Sequence, residues 1–215
     1  MRTHTKETQN SLTPDLALVI LKEGNVRFVN NIKAHRNLLQ QVNETSSGQF
    51  PFATILSCID SRISAELIFD QGLGDIFSIR IAGNILNEDI LGSMEFACKI
   101  AGSKLIVVLG HTNCGAIEGA CNNVQMGNVT ALLSKIKPAI DRETITLAER
   151  NGRNKSFVMN VTLNNIFLTT QKIRTQSTLL AGMEANNQIK IVSGLYDVDN
   201  GLVAFYRNES ENELF

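Results

Sequence analysis

Apolar residues recur at helical spacing across residues 14–34, at Leu16, Val19, Ile20, Phe28, Val29 and Ile32, which predicts a helical segment. Thr13 suits its N-cap and Pro14 its first helical position, while Gly24 leaves open a division into two helices. The polar stretch 43–49 reads as a loop. Beyond it the pattern changes. Short apolar runs at 53–57, 76–81 and 105–109 are rich in isoleucine, valine and leucine without alternation, as expected of strands buried on both faces. Amphipathic stretches at 65–71 and 89–101 separate them. This strand–helix–strand rhythm predicts parallel strands with right-handed crossovers. Residues 129–140 and 157–174 read as helices, with Pro138 breaking the first. Two closing strands, 189–196 and 202–206, are joined through the turn sequence Asp197-Val-Asp-Asn-Gly201. The expected fold is α/β, with a mostly parallel central β-sheet flanked by helices.

Composition narrows the class. A chain of 215 residues with 43% apolar content and 3 prolines fits one folded domain over 1–215, large enough to bury about 70% of its unfolded surface. With 20 basic and 21 acidic side chains the net charge is -1, and no basic block is present, which argues against nucleic acid or an anionic membrane as partner. No apolar run approaches the ~20 residues that would span a bilayer. The first ten residues are polar and lack the apolar segment of a secretion signal. A cytoplasmic location is therefore expected. In that compartment the four cysteines, Cys58, Cys98, Cys114 and Cys121, point to thiol or metal chemistry before disulfides.

Two constellations follow predicted strands directly: Cys58-Ile-Asp60-Ser-Arg62 after 53–57, and Gly110-His111-Thr-Asn-Cys114-Gly115 after 105–109. Ligands of open parallel sheets bind outside the carboxyl ends of the strands, where these two loops would face each other. Two thiolates, an imidazole and a carboxylate form a donor set suited to tetrahedral Zn²⁺. Spacing alone leaves a second reading open, in which the cysteines are small buried hydrophobes and the histidine is structural. Cys98 and Cys121 fall on helical stretches and read as packing. His4 lies in a polar tail expected to be disordered, and His35 at a helix end; neither is an obvious proton shuttle. Gly72-Leu-Gly74 lacks the third glycine of a dinucleotide fingerprint.

The combined pattern resembles the β-class carbonic anhydrases. The likeness runs through Gln49-x-Pro51, Cys58-x-Asp60-x-Arg62, Arg80-Ile-Ala-Gly-Asn84, Met94-Glu-Phe96-Ala, His111-x-x-Cys114-Gly115 and the segment 192–199. It implies one Zn²⁺ per chain on Cys58, His111 and Cys114. It also implies a catalytic Asp60–Arg62 dyad: Arg62 holds Asp60 off the metal in an open state, and Asp60 becomes the fourth ligand in a closed one. Gln49, Phe77 and Phe96 match substrate-pocket positions, the last often a tyrosine in the family. Gly115 reads either as a turn glycine or, preferably, as a close backbone approach to the ligand. In some members an arginine matching Arg80 joins a tryptophan in a second, inhibitory bicarbonate site; Ile55 stands at the tryptophan's place, so that site is expected to be missing. The helical arm at 13–35 would wrap a second subunit beside a core at 51–207, giving a homodimer or a multiple of dimers.

The activity implied is reversible hydration of carbon dioxide to bicarbonate and a proton. Carbon dioxide is apolar and has no net dipole, so an apolar wall beside a strong nucleophile suits it, and zinc chemistry generates that nucleophile from water near neutral pH. Hydrolysis of carbonyl sulfide or carbon disulfide on the same fold is an alternative. A non-catalytic zinc or thiol sensor is another, although a structural zinc has no need of the Asp60–Arg62 pair.

Overall fold

The computed structural model describes residues 3–208 and 211–214. Strands β1 (Ala53–Ser57), β2 (Ile76–Arg80), β3 (Leu105–His111) and β4 (Lys190–Tyr196) are parallel. Strands β5 (Val203–Asn208) and β6 (Glu211–Leu214) add antiparallel, and the sheet order is β2-β1-β3-β4-β5-β6. β1 and β3 are buried along their whole length, as their unbroken apolar runs predict. β2 departs from expectation: it is the edge strand, and only Ile76 in it is fully buried.

Helix α1 (Lys6–Ser11) occupies the supposed disordered tail. Thr5 and Thr8 cap each other reciprocally there, and the His4 ring packs 5.1 Å from that of Phe52. Helix α2 (Pro14–Val29) is continuous through Gly24 and ends five residues before the pattern suggested. The glycine is required by packing. A Cβ at Gly24 would lie 1.8 Å from the carbonyl oxygen of Phe69, just past α4 (Ala65–Ile68). Helix α3 (Leu38–Thr45) takes up part of the expected loop, because Gln41 is buried there and accepts the Leu73 amide at 3.2 Å.

Core lies on both faces of the sheet. Ala17, Leu18 and Leu21 of α2 pack with Phe69 on Ile55, Val107 and Leu109. On the other face, α5 (Glu88–Glu95), α9 (Lys155–Gln176) and α10 (Thr178–Ala185) cover Leu56, Ile106, Val108 and Ile191 through Met94, Ile166, Ile173 and Leu180. The stretch expected at 89–101 is α5 followed by a π-helical turn at Phe96–Ile100. The stretch at 129–140 divides into α7 (Gly127–Ser134) and α8 (Lys137–Arg142), with Pro138 in the first turn of α8. Together with α6 (Gly115–Cys121) they build a third cluster, which includes Cys58 and Cys114. No helix among the described residues is long and apolar enough to cross a membrane.

The strand order places the site. From β1 the chain moves to β2 on one side and then crosses to β3 on the other. The crevice at the carboxyl ends of β1 and β3 is thus a topological switch point, where helices on opposite faces leave room for a ligand.

Candidate metal centre

Three of the expected ligands converge in that crevice. Cys58 follows the last residue of β1, His111 is the last residue of β3, and Cys114 caps the N-terminus of α6. β3 runs two residues beyond its apolar run, so a rigid ladder holds the imidazole where a loop was expected. The two sulfurs and a ring nitrogen all lie within 4.8 Å of one another, and all three residues are buried.

The imidazole tautomer follows from its surroundings. Nδ1 lies 2.8 Å from the Thr112 carbonyl oxygen. A carbonyl only accepts, so Nδ1 carries the proton and Nε2 keeps its lone pair. That Nε2 is buried and without a hydrogen-bond partner, a costly state for a polar atom. A buried, unpartnered ring nitrogen on a histidine clustered with two cysteine sulfurs fits a soft divalent cation. Tetrahedral zinc with bonds of ~2.0–2.3 Å needs its ligands ~3.3–3.8 Å apart, which small side-chain shifts reach from here. The charge balance agrees. The Cys58 thiol is acidified by the Cys114 thiol and by the Gly83 N–H, which donates to its sulfur at 3.3 Å. Cys114 is pushed up by Cys58 and by burial. A divalent ion held between them would stabilise both thiolates.

Beside the cluster, Arg62 donates Nε to Asp60 Oδ1 at 2.9 Å and Nη2 to Asp60 Oδ2 at 2.7 Å. This fork holds the Asp60 carboxyl well below the usual carboxylate range. Arg62 Nη2 also donates to the Asn113 carbonyl at 3.2 Å. One guanidinium therefore ties the Cys58 loop to the His111–Cys114 loop.

Several supporting residues escape a reading of the sequence. Gly83 adopts φ +67°, where the backbone favours glycine, and a Cβ there would lie 2.9 Å from Cδ1 of the buried Ile136 and push that side chain aside. The Gly83 carbonyl accepts Asn165 Nδ2 from α9 at 2.8 Å, and the Gly83 N–H donates to the Cys58 sulfur. Thr112 is braced by the Asp197 turn: its Oγ1 donates to Asp197 Oδ1 at 3.2 Å and accepts the Val198 N–H at 3.0 Å. Arg80 donates to the carbonyls of Cys58 and Asp60. Arg80 and Gly83 stand in the segment Arg80-Ile-Ala-Gly-Asn84 and Asp197 in the segment 192–199, but neither segment reveals the bonds to the Cys58 sulfur, to the Cys58 and Asp60 carbonyls or to Thr112.

The pocket residues are distributed differently. Gln49 is exposed just before the amino end of β1. Phe77 pairs with Thr54 on the edge strand, four residues or about 13 Å along the sheet from Cys58. Phe96 is 51% exposed at the end of α5. The chain therefore does not bring Gln49 or Phe77 to its own thiol cluster. Gly115 is the first residue of α6, and an added Cβ would meet nothing within 4 Å; no group of the chain forces glycine there. Cys98 and Cys121 lie apart, their thiols pushed up by burial to about 12 and about 11, as packing residues should be.

Residues 53–203 match the family model described as "Carbonic anhydrase". The chain is 34% identical over 193 residues to "Carbonic anhydrase 2" of Mycobacterium tuberculosis, covering 87% of this chain and 90% of that protein. It is 33% identical over 192 residues to "Carbonic anhydrase" of Mycolicibacterium smegmatis, covering 88% and 92%. A solved β-carbonic anhydrase of Aspergillus fumigatus shares the fold with a TM-score of 0.67 at 20% identity, over 93% of this chain and 92% of that one.

Proposed function

The chain belongs to the β-class carbonic anhydrases, and from that premise we propose that it hydrates carbon dioxide reversibly to bicarbonate and a proton. One Zn²⁺ per chain would be held by Cys58, His111 and Cys114. The observation that carries this reading is the buried, unpartnered Nε2 of His111 among two thiols, beside a carboxylate that Arg62 keeps ionised. A zinc ion at this place supplies Lewis acidity, which makes a nucleophile of water near neutral pH.

The chain's own residues supply the rest. His111 and the two cysteines are fixed by β3, by the Gly83 N–H and by α6, so little reorganisation accompanies binding. Asp60, ionised and turned toward Arg62, accepts a hydrogen bond from the attacking water and orients it. Arg62 holds that carboxylate in place, and through Asn113 it holds the facing loop as well.

Substrate contacts by Gln49, Phe77 and Phe96 are proposed to come from a second copy of the chain. Gln49 and Phe77 lie toward the wrong end of their own sheet for their own site. The outer face of α2 leaves Leu16, Val19 and Val26 exposed, and Phe96 is exposed too. A second copy would cover this apolar surface, giving a homodimer or a multiple of dimers. Stopped-flow carbon dioxide hydration is the test. The zinc-loaded chain should accelerate hydration by several orders of magnitude over buffer. A chain carrying one zinc with no acceleration would overturn the reading.

A further inference from the structure

We propose that Arg80 is a positioning residue of the metal centre, which sets the backbone that carries the Cys58 sulfur and the Asp60 carboxylate. The proposal rests on the reading that Cys58, His111 and Cys114 hold a metal ion. Arg80 is the last residue of β2 and lies in register with Ser57, the last residue of β1. One more ladder bond follows, from the Ile81 N–H to the Ser57 carbonyl at 3.0 Å. There β1 leaves the sheet: the Asp60 carbonyl accepts the Ile63 N–H at 2.9 Å within the turn, while the Cys58 carbonyl meets no further strand.

Arg80 replaces the missing strand. Its Nε donates to the Cys58 carbonyl at 3.1 Å and its Nη2 to the Asp60 carbonyl at 2.8 Å. A planar guanidinium presents its donors in a fixed fork, so the two bonds, with the Ile63 N–H on the Asp60 carbonyl, set how far the chain turns about Ile59. Ile59 does not anchor the turn, because its side chain is 59% exposed. Arg62 acts on the Asp60 side chain; Arg80 acts on the backbone beneath it. With both carbonyls gripped, the Arg80 guanidinium is committed to the loop, which gives a role to an arginine whose expected partner in a bicarbonate site is missing from this chain.

The test compares wild type, Arg80→Ala and Arg80→Lys, each loaded with zinc and challenged with excess chelator. Groups that orient metal ligands typically contribute 10–100-fold to affinity, so Arg80→Ala should release zinc about 10–100-fold faster. Its cobalt(II)-substituted form should show altered ligand-field bands, while its thermal midpoint stays near that of wild type. Arg80→Lys keeps the charge and can reach one carbonyl, so its release rate should fall between the two. A wild-type chain that takes up no zinc overturns the metal reading and this proposal with it. A zinc-binding wild type whose Arg80→Ala variant matches it in release rate and cobalt spectrum overturns the positioning role alone. So does an Arg80→Lys variant no better than Arg80→Ala.

Discussion

Removing the Arg62 side chain should damage catalysis far more than stability. Arg62→Ala deletes two bonds to Asp60 and one to the Asn113 carbonyl, while the Arg62 backbone N–H still donates to Asp60 Oδ1 at 3.0 Å. The guanidinium is 49% exposed, so solvent screens the ion pair and it contributes about 0.5–1 kcal/mol. The carbonyl contact adds about 0.5–1 kcal/mol. The total is about 1–2 kcal/mol, or about 2–8 °C in melting temperature for a domain of this size. Activity should fall further, by at least about 100-fold, because the freed Asp60 can turn toward the position that the incoming water needs. The pH dependence has a definite sign. Asp60 is depressed in the folded state, so its stabilisation is complete above its unfolded pKa of about 3.9 and disappears as pH falls through the lowered folded value. Without Arg62 the folded value moves back toward the unfolded one, so the loss should be smaller and should be complete at a higher pH. Thermal melts from pH 2 to 7 and stopped-flow hydration would measure both effects. Wild-type turnover in Arg62→Ala would remove the dyad from the mechanism. A loss of stability large enough to account for the lost activity would make Arg62 a structural residue only.

Cys114→Ser replaces a soft thiolate with a hard hydroxyl and should leave well under one zinc per chain by elemental analysis; full occupancy would show that the ligand set is wrong. Gly83→Ala places a Cβ 2.9 Å from Ile136 at φ +67° and should cost about 2–4 kcal/mol in denaturant unfolding from strain and overpacking; a cost below about 1 kcal/mol would contradict the packing argument. After metal removal at pH 8, Cys58 should alkylate well before Cys98, which is similarly buried and whose thiol burial holds at about 12. Peptide mapping would read the order, and equal labelling of the two would refute it. Sedimentation of the active protein should give at least a dimer; full activity in a monomer would place Gln49 and Phe77 outside the site.

The sequence discloses those features that depend on neighbours along the chain. β1 and β3 are legible because they are buried on both faces, which leaves an unbroken apolar run. The ligands are legible because each sits within a few residues of such a run. β2 is legible as a strand but its burial is not, because an edge strand has one open side, which no apolar run announces. α3 is misread because its final turn is polar and its buried residue is a glutamine paired with a distant amide. The contacts that aim the site come from far along the chain: Asn165 to Gly83, Asp197 to Thr112 and Arg80 to Cys58. Tertiary folding creates these pairs, so no local pattern encodes them. Gln49 and Phe77 were identified by resemblance, yet their own protomer leaves them remote from the thiols.

The most direct test is to titrate zinc into the metal-free chain while recording carbon dioxide hydration in the same sample. Activity should begin near the buffer rate, rise in proportion to added zinc and stop rising at one zinc per chain, and the His111→Ala variant should show no such break. Hydration by the metal-free chain, or a zinc-saturated chain that stays at the buffer rate, would contradict the account.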